Sequence, residues 1–257
     1  MVYLHMRAKK SWVLQGSCAA VAIFVAQICQ ADTVYDAAGS FMQGYRLNQN
    51  PNGAWSYGFS NASGGAFSLF TDTASPGVNG PQARYFYSPS VDIRWSPTVE
   101  FNDGPAYADG NIDFLANQLV LVAGIGGQYS NLIFTAPHTA IYSLLASFRG
   151  DQHGIGTKVG IFEGSSLAFV AAVSAFGQVV PYSADNIALA AGQQIRIEVG
   201  PNGGLQNTGV DAIVTEKSAL VAEPGSLMLI ALAILAVKAL SNRRGRTMRD
   251  LARNCNP

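Results

Sequence analysis

The stretch Ile195-Arg196-Ile197-Glu198-Val199 decides the fold class, because aliphatic and charged residues alternate along it without a break. Successive side chains of a β-strand point to opposite faces, so the alternation places three aliphatic side chains on one face and two charges on the other. A period of two predicts a strand in a sheet that buries one face and exposes the other to water.

Ten short runs of apolar, β-branched or aromatic residues share this character, and turn sequences rich in glycine, asparagine and proline separate them. The runs cover residues 66–70, 83–87, 119–123, 131–135, 141–148, 158–162, 167–173, 187–189, 194–199 and 209–214. No convincing helical pattern connects them, and parallel strands would need such helices. The sequence therefore predicts an all-β exported domain over residues 32–218, built as an antiparallel β-sandwich.

The N-terminus has the three parts of a secretory signal peptide. A basic start at residues 7–10 precedes a largely apolar run over residues 12–28, and the small-x-small sequence Cys29-Gln30-Ala31 ends it. We predict that residues 1–31 are a signal peptide cleaved after Ala31. A transmembrane helix is the alternative, but polar residues interrupt the run of ~20 apolar residues that spanning would require.

The C-terminus combines a short apolar segment with a basic cluster. The dipeptide Glu223-Pro224 precedes a transmembrane helix expected over about residues 226–240. The cluster that follows consists of Arg243, Arg244 and Arg246. Arginines stay on the cytoplasmic side of a membrane by the positive-inside tendency, so the acidic body is expected outside. The alternative, a buried helix of a soluble domain, would leave the arginines bare at the chain end.

Over residues 219–246 this order of Glu-Pro, apolar segment and arginines resembles the PEP-CTERM sorting signal. The resemblance implies a Gram-negative, exopolysaccharide-producing host, the secretion machinery and exosortase, a membrane protease-transpeptidase, as partners. It also implies inner-membrane anchoring with the domain in the periplasm, then a cell-surface or extracellular location after processing. The sequence departs from the family pattern at Ala222, where the family has the first proline of Pro-Glu-Pro, and in the basic cytoplasmic tail of residues 247–257.

Charge is segregated along the chain although the net charge is zero. Residues 32–218 carry 7 basic and 14 acidic side chains, whereas both ends are basic. An acidic body repels phosphate backbones, which argues against nucleic acid as a partner. Cys18, Cys29 and Cys255 all lie outside the body, so its stability must come from a hydrophobic core and not from disulfides.

The sequence Asn50-Pro51-Asn52-Gly53-Ala54-Trp55-Ser56-Tyr57-Gly58 resembles the opening of a group of exported bacterial β-sandwich domains. A strand ending in Thr135-Ala136-Pro137 and a later stretch over residues 189–195 resemble further parts of the same group. Together these motifs cover about residues 35–214, and they imply a jelly-roll fold related to carbohydrate-binding modules.

Aromatic side chains are the candidate glycan-binding residues, since aromatic faces pack against the C–H patches of sugar rings. Trp55 and Tyr57 share one face of a strand, where they either fill the core or stack one ring on a sugar. Tyr85, Tyr87 and Trp95 are the possible glycan-stacking aromatics, with Tyr85 and Tyr87 on a common face.

The body carries no recognisable catalytic motif, and we expect neither an enzyme activity nor a cofactor or metal. His138 and His153 lie in no metal-ligand spacing, and the body has no cysteine nucleophile, Walker loop or nucleophile elbow. Asp103, Asp109 and Asp113 have a spacing that fits no EF-hand, and we interpret them as solvated loop acids.

Three classes of function remain open from the sequence. The leading hypothesis is a non-enzymatic surface or extracellular matrix protein that associates with exopolysaccharide or biofilm. A carbohydrate-active enzyme on the same scaffold would need two carboxylates that face each other across a cleft. A purely structural envelope protein would have no specific ligand.

Overall fold

A computed structural model describes residues 31–218 apart from 75–82, 93–95, 155 and 203–206, and also residues 233–235 and 238; at residue 109 only the backbone is described. The predicted signal peptide before Ala31 lies outside this part of the chain. Outside it, too, are the predicted sorting-signal residues Glu223, Pro224, Arg243, Arg244 and Arg246. Among the described residues, no helix is both long and apolar enough to span a bilayer.

Strands dominate the described chain, and a single helix, α1 (Ala37–Leu47), interrupts their succession between residues 31 and 218. The strands are β1 (Thr33–Asp36), β2 (Trp55–Ser60), β3 (Phe67–Leu69), β4 (Asp72–Ala74), β5 (Ala83–Tyr87), β6 (Thr98–Asn102), β7 (Tyr107–Asp109), β8 (Ile112–Phe114), β9 (Leu119–Val122), β10 (Tyr129–Thr135), β11 (Ala140–Gly150), β12 (Thr157–Glu163), β13 (Ser166–Val173), β14 (Val179–Leu189), β15 (Gln194–Pro201) and β16 (Asn207–Lys217).

The strands form two large antiparallel sheets. Sheet A has the order β14-β11-β16-β9-β6-β5-β4, and sheet B has the order β13-β12-β15-β10-β2-β3, while β7 and β8 form a separate hairpin. The predicted all-β class and its antiparallel, sandwich-like arrangement are therefore confirmed. All ten predicted runs fall on strands, although β14 begins at Val179 instead of residue 187. The strand expected at Trp55 and Tyr57 is β2, whereas β1, β4, β6, β7 and β8 were not predicted.

One hydrophobic cluster fills the space between the sheets and draws residues from both. Trp55 and Tyr57 are both 0% exposed, which confirms the interpretation that they fill the core. The ring of Phe41 on α1 lies edge-on to Tyr57 and to Phe86, with centroids 5.2 and 5.0 Å apart. Burial of each large side chain of this kind stabilises the fold by about 1.5–3 kcal/mol.

The Asn-Pro-Asn-Gly motif ties the helix to the first core strand. Gly53 has φ +56°, a left-handed conformation that glycine adopts readily in turns. Asn50 accepts a hydrogen bond from the Tyr57 amide at 3.0 Å, and its own amide donates to the Tyr57 carbonyl at 2.6 Å. The Asn52 side chain donates to the carbonyl of Ser40 in α1 at 2.9 Å. The motif therefore has a structural role.

Helix α1 shows that the expectation of no helix between residues 32 and 218 was wrong. Asp36 caps the helix by accepting hydrogen bonds from the amides of Ala38 and Gly39 at 3.0 and 3.2 Å. An ideal Cβ at Gly44 would lie 2.6 Å from the Gln49 carbonyl oxygen, so close packing requires a glycine there. Glycine has a low helix propensity, and the two glycines hide the helix in the sequence.

The first and last strands of the domain, β1 and β16, lie side by side. β1 pairs with one half of β16, from Thr33 opposite Glu216 to Asp36 opposite Ile213, and β9 pairs with the other half. The Ser218 amide donates a hydrogen bond to the Asp32 carboxylate at 2.9 Å. Residues 30–220 form one compact unit, and the first and last described residues of its strands are neighbours.

Candidate functional site

The outward face of sheet A carries an open groove of about 340 Å³ across the three neighbouring strands β14, β11 and β16. We call it the sheet A groove, and the residues that line it are Leu145, Ala146, Ser147, Pro181, Tyr182, Ser183, Asp211 and Ile213. The strand register places Ser183, Leu145 and Ile213 in one cross-strand row, and it places Pro181, Ser147 and Asp211 in the next row.

The period-two pattern of β11 and β16 explains how this groove forms. Buried side chains such as Leu144 and Val214 alternate with outward residues, so Leu145 and Ile213 point away from the core. Pro181 lies on β14, which is the edge strand of sheet A, where a residue without an amide proton is tolerated. The short side chains between the aliphatic residues leave the floor of the groove open.

The groove combines apolar and polar surface in one place. Leu145 is 60% exposed and Ile213 is 39% exposed, although aliphatic side chains are usually buried. Asp211 is exposed and accepts a hydrogen bond from the Ser147 hydroxyl at 3.2 Å. A carboxylate has about four lone-pair positions, so Asp211 can accept further hydrogen bonds from a ligand. This arrangement suits a ligand with both C–H faces and hydroxyl groups.

A charged cluster lies beside the groove in the next row of sheet A, where Arg149 is opposite Gly209. The guanidinium of Arg149 forms ion pairs with Asp151 and with Asp113, the second at 3.5 Å. Burial raises the pKa of Asp151 to about 7, although Arg149 and a hydrogen bond from Gln118 act in the opposite direction. An ideal Cβ at Gly209 would lie only 2.6 Å from the Asp151 carboxylate, so a glycine makes room for it.

The predicted stacking aromatics are placed differently from one another. Tyr85 is 2% exposed, opposite the buried Glu100 on β6, so its ring has no open face for a sugar. Burial and the nearby Glu100 raise the pKa of Tyr85 to about 12. Tyr87 is partly exposed, with its ring 6.1 Å from that of Tyr85, and Trp95 lies outside the described residues. Glycan stacking therefore stays a prediction for Tyr87 and Trp95.

A loop covers the face of sheet B that the alternating stretch predicted to be in water. The three inward aliphatic residues of β15 are buried as predicted, but Glu198 on the other face is only 1% exposed. Its carboxylate accepts hydrogen bonds from the Ser63 hydroxyl and, at 3.0 Å, from the Gly64 amide. Arg196 donates to the Gly65 carbonyl at 2.6 Å. These contacts hold residues 61–66, the covering loop, against the sheet.

The remaining candidate residues lie at separate places on the domain. His138 lies 3.2 Å from the Glu216 carboxylate, and the His153 ring stacks on Phe176 with centroids 3.7 Å apart. Asp103 pairs with Arg84 at 3.2 Å, and Asp113 belongs to the Arg149 cluster. In the part of the chain that the structure describes, no group of three or more His, Cys, Asp or Glu residues could hold a metal ion.

No family model matches this chain, and no curated protein matches it. Among solved structures, the chain is similar to the CBM36-1 domain of a multidomain xylanase from the hindgut metagenome of Trinervitermes trinervoides, with 13% identity, a TM-score of 0.29 and coverage of 45% of this chain and 91% of that chain.

It is also similar to the carbohydrate-binding module CBM36 in complex with calcium and xylotriose, with 16% identity and a TM-score of 0.28 over 43% of this chain and 92% of that chain. The module TmCBM61, in complex with β-1,4-galactotriose, gives 11% identity and a TM-score of 0.28 over 58% and 90% of the two chains. Similarities of this size leave the function of the chain to be argued from its own residues.

Proposed function

We propose that this protein is an exported, non-enzymatic surface or extracellular matrix protein that binds polysaccharide in the sheet A groove. The observation that carries the proposal is the pairing of exposed Leu145 and Ile213 with the carboxylate of Asp211 in one open groove. The aliphatic side chains can pack against the C–H faces of sugar rings, while Asp211 and Ser147 can accept hydrogen bonds from sugar hydroxyls.

The shape of the groove favours a polymer over a small metabolite. It lies open on the sheet and crosses three strands, whereas sites for small molecules usually enclose most of the ligand. An open groove lets an extended chain enter and leave at both ends. Because the body is acidic, a neutral or positively charged polysaccharide fits it better than a strongly anionic one.

The neighbouring positions of the first and last described residues of the domain support export and anchoring by the two termini. The predicted cleavage site at Ala31 is exposed and comes directly before Asp32, which is hydrogen-bonded to the Ser218 amide. The predicted sorting signal begins at the next residue, 219. Signal peptidase and exosortase would therefore act on segments that leave the domain at one point, without unfolding of the sheets.

The glycan proposal is tested by retention of residues 32–218 on immobilised exopolysaccharide from the native host. This fragment contains both sheets and the hydrophobic core. The wild-type fragment is expected to be retained, and Leu145→Lys is expected to raise the dissociation constant for the polysaccharide at least about tenfold, a change of about 1.4 kcal/mol. Leu69→Lys, which changes a 38% exposed leucine on sheet B, is the matched control and should bind normally. If both variants bind as well as the wild type, the sheet A groove is not the binding site.

The non-enzymatic character has its own test. Two of the buried carboxylates have structural partners, since Glu198 holds the covering loop and Asp151 pairs with Arg149. Incubation of the fragment with the same polysaccharide should release no reducing ends. Release that is lost on mutation of one carboxylate would establish the carbohydrate-active enzyme instead.

Export and sorting are tested by mass spectrometry of the protein from the native host. The mature chain is expected to begin at Asp32 and to lack Arg243, Arg244 and Arg246. A mature chain that keeps these arginines would indicate a plain membrane anchor. A protein that binds no glycan, but whose deletion changes biofilm cohesion, would be the purely structural envelope protein.

A further inference from the structure

The imidazole ring of His153 lies flat on the ring of Phe176. The two ring centres are 3.7 Å apart and the planes are tilted by 18°, so the rings are in stacking contact. Phe176 is half-buried, whereas His153 is exposed. Because Phe176 covers one face of the imidazole and the side chain is still exposed, the other face of the ring is open to water. We call this pair the His153 platform.

The Arg149 cluster supports the Phe176 ring of the platform. The guanidinium carbon of Arg149 lies 5.7 Å from the centre of this ring, which is the range of a cation–π contact. Asp151, which is fully buried, and Asp113 both form ion pairs with the same guanidinium. Two carboxylates therefore fix the cation on which Phe176 packs, and the exposed imidazole rests on an ordered layer of side chains.

Backbone hydrogen bonds fix the two segments that carry the platform. The His153 amide donates to the Asn111 carbonyl at 2.7 Å, which ties this segment to the turn between β7 and β8. The Gly177 amide, next to Phe176, donates to the Gly150 carbonyl at the end of β11 at 2.8 Å. A site that is already ordered loses less conformational entropy when a ligand binds, so this arrangement favours binding by the exposed ring.

The platform lies at one end of the sheet A groove. Ser147 lines the groove, and Arg149 is the next residue on the same face of β11, about 7 Å further along the strand. Val179 is opposite Arg149 on β14 and is 56% exposed, so apolar surface continues beyond the groove in this direction. A polymer that leaves the groove past Ser147 therefore reaches the open face of His153 within a few sugar units.

We infer that the His153 platform is a second subsite for the polysaccharide, in which the imidazole stacks on a sugar ring next to the part of the polymer that fills the sheet A groove. A flat, open aromatic ring packs against the C–H face of a sugar ring, and the groove beside it takes the neighbouring rings. The inference rests on the proposed function. Its consequence is a preference for length, since a chain that fills both subsites binds more tightly than one that fills the groove alone.

Calorimetric titration of residues 32–218 with oligosaccharides of graded length, from partial acid hydrolysis of the host exopolysaccharide, tests the length preference. His153→Ala should lower the affinity for long oligosaccharides about fivefold and leave that for short ones unchanged, because it removes one ring contact. His153→Phe keeps a flat ring and should bind like the wild type. His138→Ala, at the other exposed histidine, is the matched control, and Leu145→Lys should weaken binding at every length. A His153→Ala variant that binds long oligosaccharides as tightly as the wild type would overturn the inference.

NMR spectroscopy supplies the second measurement, because His138 and His153 are the two histidines of residues 32–218. At constant pH, the imidazole C–H signals of His153 should shift saturably with the long oligosaccharides, whereas those of His138 should stay in place. Shifts of the groove amides at residues 143–149 without a shift of His153 would refute the platform and leave the groove standing. No shift at either place would refute the platform together with the proposed function. Equal shifts of both histidines would indicate nonspecific contact and would also overturn the inference.

Discussion

Asp151 should make the stability of the domain depend on pH. Its carboxyl group is 0% exposed, and burial raises its pKa to about 7 from an ordinary value of 3.8. Below about pH 4 the group carries a proton in both the folded and the unfolded chain. Between pH 4 and 7 the unfolded chain loses this proton while the folded domain keeps it, so the free energy of unfolding falls as the pH rises.

The size of this effect follows from the difference between the two pKa values. Each pH unit corresponds to about 1.36 kcal/mol, so a difference of about three units gives at most about 4 kcal/mol between pH 4 and pH 8. The Asp151→Asn variant does not titrate at this position, and its side-chain carbonyl can still accept a hydrogen bond from Arg149. Relative to the wild type, the variant should therefore gain up to about 4 kcal/mol in stability over this pH range.

Urea denaturation of both proteins at several pH values measures the difference directly, because the other titrating groups are common to both and largely cancel. The difference in unfolding free energy between the two proteins should be constant below about pH 4, and it should shift in favour of the variant as the pH rises to 7. A difference in unfolding free energy that does not change with pH, or a wild type that gains stability over the variant as the pH rises, would refute the reasoning. Either result would mean that Arg149 keeps Asp151 ionised throughout.

Three further substitutions test the packing of the fold by urea denaturation and amide hydrogen exchange. Trp55→Ala should lower the unfolding free energy by about 3–5 kcal/mol, because it empties a fully buried site in the core. Glu198→Gln should cost about 1–3 kcal/mol and speed amide exchange at Gly64, because it weakens the hydrogen bonds that hold the covering loop. Gly209→Ala should cost about 1–3 kcal/mol, since its Cβ would lie 1.9 Å from the Gln118 side-chain nitrogen.

Ile141→Ala is the control for the core substitution, because Ile141 is 40% exposed and its loss should cost much less than that of Trp55. Equal losses would contradict the placement of Trp55. If Glu198→Gln leaves exchange at Gly64 unchanged, the covering loop is held by other contacts. If Gly209→Ala is neutral, the backbone of β16 can move away from Gln118 at no cost.

The periodicity of the sequence predicted the strands well where one face is apolar, as at β15, but it could not show what covers the other face. Glu198 lies on the polar face of that strand, yet the loop of residues 61–66 buries it. A contact between residues more than a hundred positions apart leaves no local pattern. The same limit applies to β6, where the buried Glu100 and Asn102 hide a strand among polar residues.

The aromatic residues show why the candidate site could be predicted only in part. Aromatic character drew attention to Tyr85, whose ring is buried, because sequence alone does not separate a core ring from an exposed one. The groove residues Leu145, Ser147 and Asp211 belong to ordinary strand patterns, and only the register of β11 against β14 and β16 brings their neighbours together. The sequence does not show that a leucine within a predicted strand is exposed.

The central claim is that polysaccharide binds in the sheet A groove, and an NMR titration of residues 32–218 with oligosaccharides from the host exopolysaccharide tests it most directly. The account predicts amide shift changes concentrated at residues 143–149, 179–185 and 209–215, with sheet B unaffected. Saturable changes confined to sheet B, or no changes at any oligosaccharide concentration, would contradict it.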